Sequence, residues 1–248
     1  MTTSEVNTRH GRMKVFNEDP WVGRSLTLLG EYSESELDYM KMFIELISAK
    51  EGPIEMVEAG AYIGDMTIPL SRLVKKLYAF EPQKEVREVL LQNLEMNGIE
   101  NVEVFPYALS SEPRKFYYGS EPPEAGAGGQ MMKTEEDVNE VEAITLDSLN
   151  LSPGFIKADI EGMEIPFLAG AVDTLRRTRC PLFMEFDTVI LEGHPPLADV
   201  LAQMGYDVYK FFFPMYLRKN FNNNPNNPFG LTVSKMLLGA PPPFSIPV

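Results

Sequence analysis

The sequence predicts an α/β fold in which a largely parallel sheet is covered by helices on both faces. Three observations carry the prediction. From residue 54 onward, short apolar strands alternate with helices of about ten or more residues. The first of those strands runs into a helix through a glycine-bearing turn, Glu58-Ala-Gly-Ala-Tyr-Ile-Gly64. No self-similarity at a period of about 20 to 50 residues points instead to a solenoid.

Element by element, Ser33 and Glu36 have the spacing of a capping box. Leu37, Met40, Phe43, Ile44 and Ile47 then recur at three- and four-residue steps, which predicts an amphipathic helix ending near Lys50-Glu51-Gly52-Pro53. Strand 54–59, helix 67–75, strand 77–80 and a helix over 83–97 stopped by Gly98 follow. Residues 102–106 and 115–118 are predicted strands, and the breaker-rich stretch 119–130 a surface insertion. The order continues with strand 154–158, helix 164–177, strand 181–186, helix 197–204 and strand 206–213. The asparagine-rich run 220–227 is a loop, and 231–238 a last strand. Residues 1–30 show no clear periodicity, so the expected organisation is an N-terminal arm, 1–33, and one domain, 34–248.

With 22 basic against 36 acidic residues the net charge is -14, a field that repels phosphate backbones and anionic lipid, so neither nucleic acid nor membrane is an expected partner. The single cysteine, Cys180, excludes an intramolecular disulfide and a cysteine-based zinc site, and no metal is expected. The first 17 residues lack the apolar core of a signal peptide, and no run of about 18 apolar residues occurs. A cytoplasmic location is the expectation.

In doubly wound sheets ligands bind beyond the carboxyl ends of the strands, and a glycine there lets the backbone come close to a ligand. Gly60 and Gly64 supply two such points, and the amides of the helix that follows favour an anionic group. The spacing is G-x-x-x-G, not the G-x-G-x-x-G of a dinucleotide site. Glu58 precedes the first glycine by two residues and can accept hydrogen bonds from a ligand ammonium. Glu81, in Phe80-Glu81-Pro82, falls about 20 residues after Gly60, the offset that carries a ribose-binding acid to the neighbouring strand end. Tyr107, Ala108 and Leu109 end the third strand, where they can line an adenine slot. The fourth strand ends in Lys157-Ala-Asp159-Ile-Glu161-Gly-Met-Glu164. Like charges so close raise a pKa, and a site that keeps them has a proton to accept or a cation to bind. Glu185, Asp187 and His194 mark the fifth strand end and its loop.

These residues resemble the FkbM family of methyltransferases. The resemblance runs from about Gly30 to Gly205. It rests on Gly30-Glu-Tyr-Ser-Glu-Ser-Glu36, Glu58 to Gly64, Tyr78-Ala-Phe-Glu-Pro82, Asn97-Gly98 before Asn101-Val102, and Ala108-Leu109-Ser110. It continues through Thr145-Leu-Asp-Ser-Leu149, Ile156 to Glu164 and Gly170-Ala171. It implies a Rossmann-like class I fold, a seven-stranded, mostly parallel sheet whose last strand pair is antiparallel. It also implies S-adenosyl-L-methionine as methyl donor, held by Tyr32, Glu58, Gly60, Ala61, Tyr62, Gly64, Thr67, Glu81, Pro82 and Ala108. The implied activity is O-methylation of a sugar, glycan or secondary-metabolite hydroxyl; the expected catalytic carboxylates, Asp159 and Glu161, come from the crowded acids of the fourth strand end and not from the resemblance. The family usually has aspartate at Glu58, asparagine at Tyr62 and a histidine where Asp187 follows Phe186. Two rival expectations stand beside this one, a nicotinamide-dependent oxidoreductase on a Rossmann fold and a non-catalytic cofactor-binding module.

Overall fold

An antiparallel hairpin opens the chain, β1 (Thr3–Thr8) against β2 (Gly11–Phe16), and leads into the helix α1 (Val22–Leu29). The computed structural model describes residues 1–119, 138–186 and 195–242. After α2 (Glu34–Glu51) come β3 (Glu55–Ala59), α3 (Thr67–Ser71), β4 (Lys76–Phe80), α4 (Lys84–Met96) and β5 (Val102–Phe105). The short strands β6 (Tyr107–Leu109), β7 (Arg114–Gly119) and β8 (Val138–Ile144) form a separate three-stranded sheet in the order β6-β8-β7. The second half supplies β9 (Phe155–Ala158), α5 (Glu164–Ala169), α6 (Val172–Thr178), β10 (Leu182–Glu185), α7 (Leu197–Gln203), β11 (Asp207–Pro214) and β12 (Val233–Ala240).

The central sheet has seven strands in the order β11-β12-β10-β9-β3-β4-β5. Neighbours from β10 to β5 are parallel, while β12 lies antiparallel between β10 and β11. Successive residues of each strand face opposite sides, and the core divides accordingly. Met56, Leu77, Ala79, Phe155 and Phe183 pack with Leu37, Met40, Phe43 and Ile44 of α2 and with Val86 and Leu90 of α4. Val57, Phe80, Ile156, Ala158 and Met184 pack with Phe167 and Leu168 of α5, Leu175 of α6 and Leu201 of α7. Strands buried on both faces read as continuous apolar runs, which is why the sequence showed them clearly.

Several expected elements take a different form. Residues 1–30 hide a hairpin, too short to display a period, that docks through the buried side chains of Met13, Val15 and Phe16 and through the buried amide of Asn93. Asn93 of α4 accepts from the Lys14 amide at 2.6 Å and donates to the Lys14 carbonyl at 2.9 Å. Ser33 and Glu36 do not close a capping box. Ser33 is left-handed (φ 45) and its hydroxyl donates to the Glu36 carboxylate at 2.8 Å, while Ser234 of β12 donates to the same oxygen. The helix expected over 67–75 stops after Ser71, where Asn101 donates to the carbonyls of Ser71 and Val74 and turns the chain into β4. That leaves α3 five residues long, with little dipole to bind an anion.

The helix expected over 164–177 breaks at Gly170-Ala171. A Cβ on Gly170 would stand 1.9 Å from the Ser110 carbonyl oxygen, and Asp147 caps the new start, accepting from the amides of Asp173 and Thr174 at 3.0 and 2.7 Å. The expected insertion, 119–130, lies outside the described residues apart from Gly119, which ends β7.

Candidate active site

A cavity of about 470 Å³ opens beyond the carboxyl ends of β3, β4, β9 and β10. The first wall comes from β3 and its turn. Glu58 is wholly buried; Thr67 donates to one of its oxygens at 2.7 Å, and the other lies 3.9 Å from Lys157 Nζ with no hydrogen-bond partner. Burial pushes its carboxyl pKa up. The chain then turns through Gly60 (φ 80), whose amide donates to the Phe80 carbonyl at 3.0 Å.

The space freed by the missing side chains differs from expectation. A Cβ on Gly60 would lie 1.9 Å from the backbone oxygen of Asp159, and one on Gly64 would lie 2.7 Å from Leu90 of α4. Both glycines let protein approach protein, and Gly64 does not reach the cavity wall. Thr67 stays behind the wall as well, holding Glu58. Gly60, Ala61, Tyr62, Pro82, Ala108 and Tyr32 do line the cavity.

Tyr62 occupies the position where the resemblance implies asparagine, and it keeps the left-handed conformation (φ 47) that asparagine tolerates better. Its amide donates to Glu81 at 3.0 Å and its hydroxyl to Asp19 at 3.0 Å, which ties the N-terminal segment over the site. Glu81 also accepts from the Gln83 amide at 2.9 Å. One lone pair on each carboxylate oxygen remains for a ligand's hydroxyls. Burial pushes Glu81 up to about 7 against the pull of those two amides.

The opposite wall is acidic. Asp159 follows β9, and Glu161 sits at a left-handed turn (φ 53), not on an extended strand end. Asp159, Glu161 and Glu185 nonetheless each bring an oxygen within 4.8 Å of the others, a spacing able to hold a proton or a cation. The Asp159 charge raises the pKa of Glu185, with burial and a hydrogen bond between the two carboxyls acting in the same sense. Glu164 instead accepts from the amides of Ile160 and Gly162 and organises the loop. Asp187 and His194 lie outside the described residues.

Sequence reasoning passed over three groups. Lys157, buried within Phe-Ile-Lys-Ala, lies 3.6 Å from Asp159, 3.9 Å from Glu58 and 3.3 Å from the Gly60 carbonyl. Burial opposes its charge, but Asp159, Glu58, Glu36 and Asp65 together raise its pKa. A lysine inside a four-residue apolar strand was the available signal. Asp65 opens onto the cavity, and burial pushes it up to about 7, with Lys157 pulling it down and Glu58 and Asp159 pushing it up. Glu36, read only as a cap, is buried in the wall beside Ser234.

A family model described as a methyltransferase FkbM domain matches residues 58–208, more than half of the chain. The chain belongs to the FkbM methyltransferase family. A solved methyltransferase FkbM from Methylobacillus flagellatus KT is 17% identical with a TM-score of 0.45, over 75% of this chain and 43% of that one. The chain therefore spans less than half the length of that FkbM structure. A SAM-dependent methyltransferase from Agrobacterium tumefaciens is 8% identical with a TM-score of 0.55, over 98% and 71% of the two chains. At 8% identity the second likeness speaks to the fold alone, and the fold is the class I, Rossmann-like arrangement. Comparison with curated proteins gave no match. Among the described residues no helix is long and apolar enough to cross a membrane.

FkbM enzymes use S-adenosylmethionine, and the residues present fit it. The buried, unpartnered oxygen of Glu58 suits an ammonium, and the open lone pairs of Glu81 suit ribose hydroxyls.

Proposed function

We propose that the protein is an S-adenosylmethionine-dependent O-methyltransferase whose acceptor is an uncharged hydroxyl compound, a sugar, glycan or secondary metabolite. The observation that carries this reading is that one cavity contains both the donor-type residues Glu58 and Glu81 and the carboxylates Asp159, Glu161 and Glu185. S-adenosylmethionine supplies, when bound, a methyl group already activated on a sulfonium. Asp159 would accept the proton of the acceptor hydroxyl whose oxygen receives that methyl group. Lys157 holds the Asp159 carboxylate in place, and Glu81 with Glu58 fixes the donor.

The described walls carry one ammonium, Lys157, against several carboxyls, so a phosphate or carboxylate on the acceptor meets repulsion. The same argument, with the net charge of -14, weighs against nucleic acid. Transfer of labelled methyl to a panel of neutral sugars and polyketide-type alcohols, each paired with its phosphorylated counterpart, tests the reading. The expected result is methylation of a neutral member. Methylation confined to phosphorylated acceptors overturns it.

A further inference from the structure

Seven carboxyl groups line the described walls of the cavity, and one ammonium answers them. That ammonium, Lys157, lies within ion-pair distance of Glu58 and Asp159, while Asp65 takes part in no ion pair among the described residues. Asp65 is nevertheless within electrostatic reach of all three and opens onto the same cavity. Protons offset part of this charge, since Glu185 and Asp159 share one and burial raises Glu36, Glu58, Asp65 and Glu81, so the surplus is fully expressed only above about pH 7. Glu58, which lines the cavity, makes the point at atomic scale, because one of its oxygens is buried and has no hydrogen-bond partner. In a cleft with low-dielectric walls, such an imbalance favours a cationic ligand over a neutral one of the same shape.

The two forms of the cofactor differ in this one respect. The donor carries a sulfonium, an ammonium and a carboxylate; the demethylated product has lost the sulfonium charge and is otherwise nearly identical. We propose that the site distinguishes methyl donor from product by charge, with Asp65 as the discriminating carboxylate. The inference rests on the donor reading above and adds a specificity-determining residue to it. Its consequence for turnover is that loss of the methyl group removes the attraction that held the cofactor, so transfer itself loosens the product. A carboxylate with no ion-pair partner beside the glycine turn then has a use, because above about pH 7, where it is ionised, its charge is met only while the donor is bound.

Calorimetric titration of the full chain at about pH 8, where Asp65 is ionised, with S-adenosylmethionine, S-adenosylhomocysteine and sinefungin, which carries an ammonium in place of the sulfonium methyl, tests this. Wild-type protein is expected to bind the two cationic ligands about tenfold or more tightly than S-adenosylhomocysteine. In Asp65→Asn the preference should shrink to within about threefold while S-adenosylhomocysteine affinity stays close to wild type. Equal affinities in the wild type, or an undiminished preference in Asp65→Asn, overturn the proposal and leave the donor reading standing. If Asp65→Asn does not fold, Asp65→Ser takes its place with the same outcomes expected. Binding of none of the three ligands to the wild type sinks the donor reading and this proposal together.

Discussion

Asp159→Asn is expected to cut methyl transfer by roughly 10²- to 10⁴-fold, the range for a lost general base, while leaving donor affinity within about threefold. Asparagine keeps the shape and removes the basicity. The contacts at Asp159 explain why the loss falls on chemistry more than binding. Its carboxylate lies 3.6 Å from Lys157 Nζ and shares a hydrogen bond with Glu185, on the acidic wall and apart from Glu81. Single-turnover rates with an acceptor found in the panel above, set beside calorimetric affinities, separate the two effects. A variant that turns over at the wild-type rate places the base elsewhere, with Glu161 and Glu185 the adjacent carboxyls to replace.

Gly60→Val is expected to destabilise the whole domain by about 3 to 5 kcal/mol, a fall of roughly 6 to 15 °C in melting temperature for a chain of this size. From sequence alone Gly60 makes room for a ligand, so a side chain there would be expected to fill ligand space. The structure puts the Asp159 carbonyl oxygen 1.9 Å from where the Cβ would stand. The residue also has φ 80, which a β-branched side chain adopts only under strain. Relief requires parting the ends of β3 and β9, which are joined by the hydrogen bond from the Asp159 amide to the Ala59 carbonyl at 3.1 Å. Thermal melts monitored by circular dichroism give the answer. A wild-type melting temperature with cofactor binding abolished would restore the ligand-space account of Gly60.

The sheet was legible because strands covered on both faces are apolar throughout; Phe-Ile-Lys-Ala and Leu-Phe-Met-Glu leave few other readings. The glycine turn and Phe-Glu-Pro were legible because strand-end geometry ties a motif to a place. What stayed hidden depends on contacts distant in sequence. The hairpin of residues 3–16 is defined by Asn93, roughly 80 residues away, and Gly170 breaks a helix because Ser110 lies against it. Within the site, Glu36 looked like a local cap because Ser33 stands beside it, whereas its other partner is Ser234 at the far end of the chain. Local spacing cannot announce such pairs. Lys157 is the exception, a charge in an apolar strand that should be read as the sign of buried acids around it.

The central claim is that the methyl donor binds in the cavity beyond β3 and β4, and titration of wild-type protein and Glu81→Ala with S-adenosylhomocysteine tests it most directly. The measurement belongs at about pH 8, above the raised pKa of Glu81, where its carboxylate is ionised and accepts best. S-adenosylhomocysteine lacks the sulfonium, so the comparison reports the hydroxyl contacts without the charge effect assigned to Asp65. The account predicts saturable binding to the wild type, and binding weaker by roughly 2 to 4 kcal/mol, about 30- to 1000-fold, in a folded Glu81→Ala. Undiminished affinity in Glu81→Ala would place the cofactor outside this cavity and contradict the account.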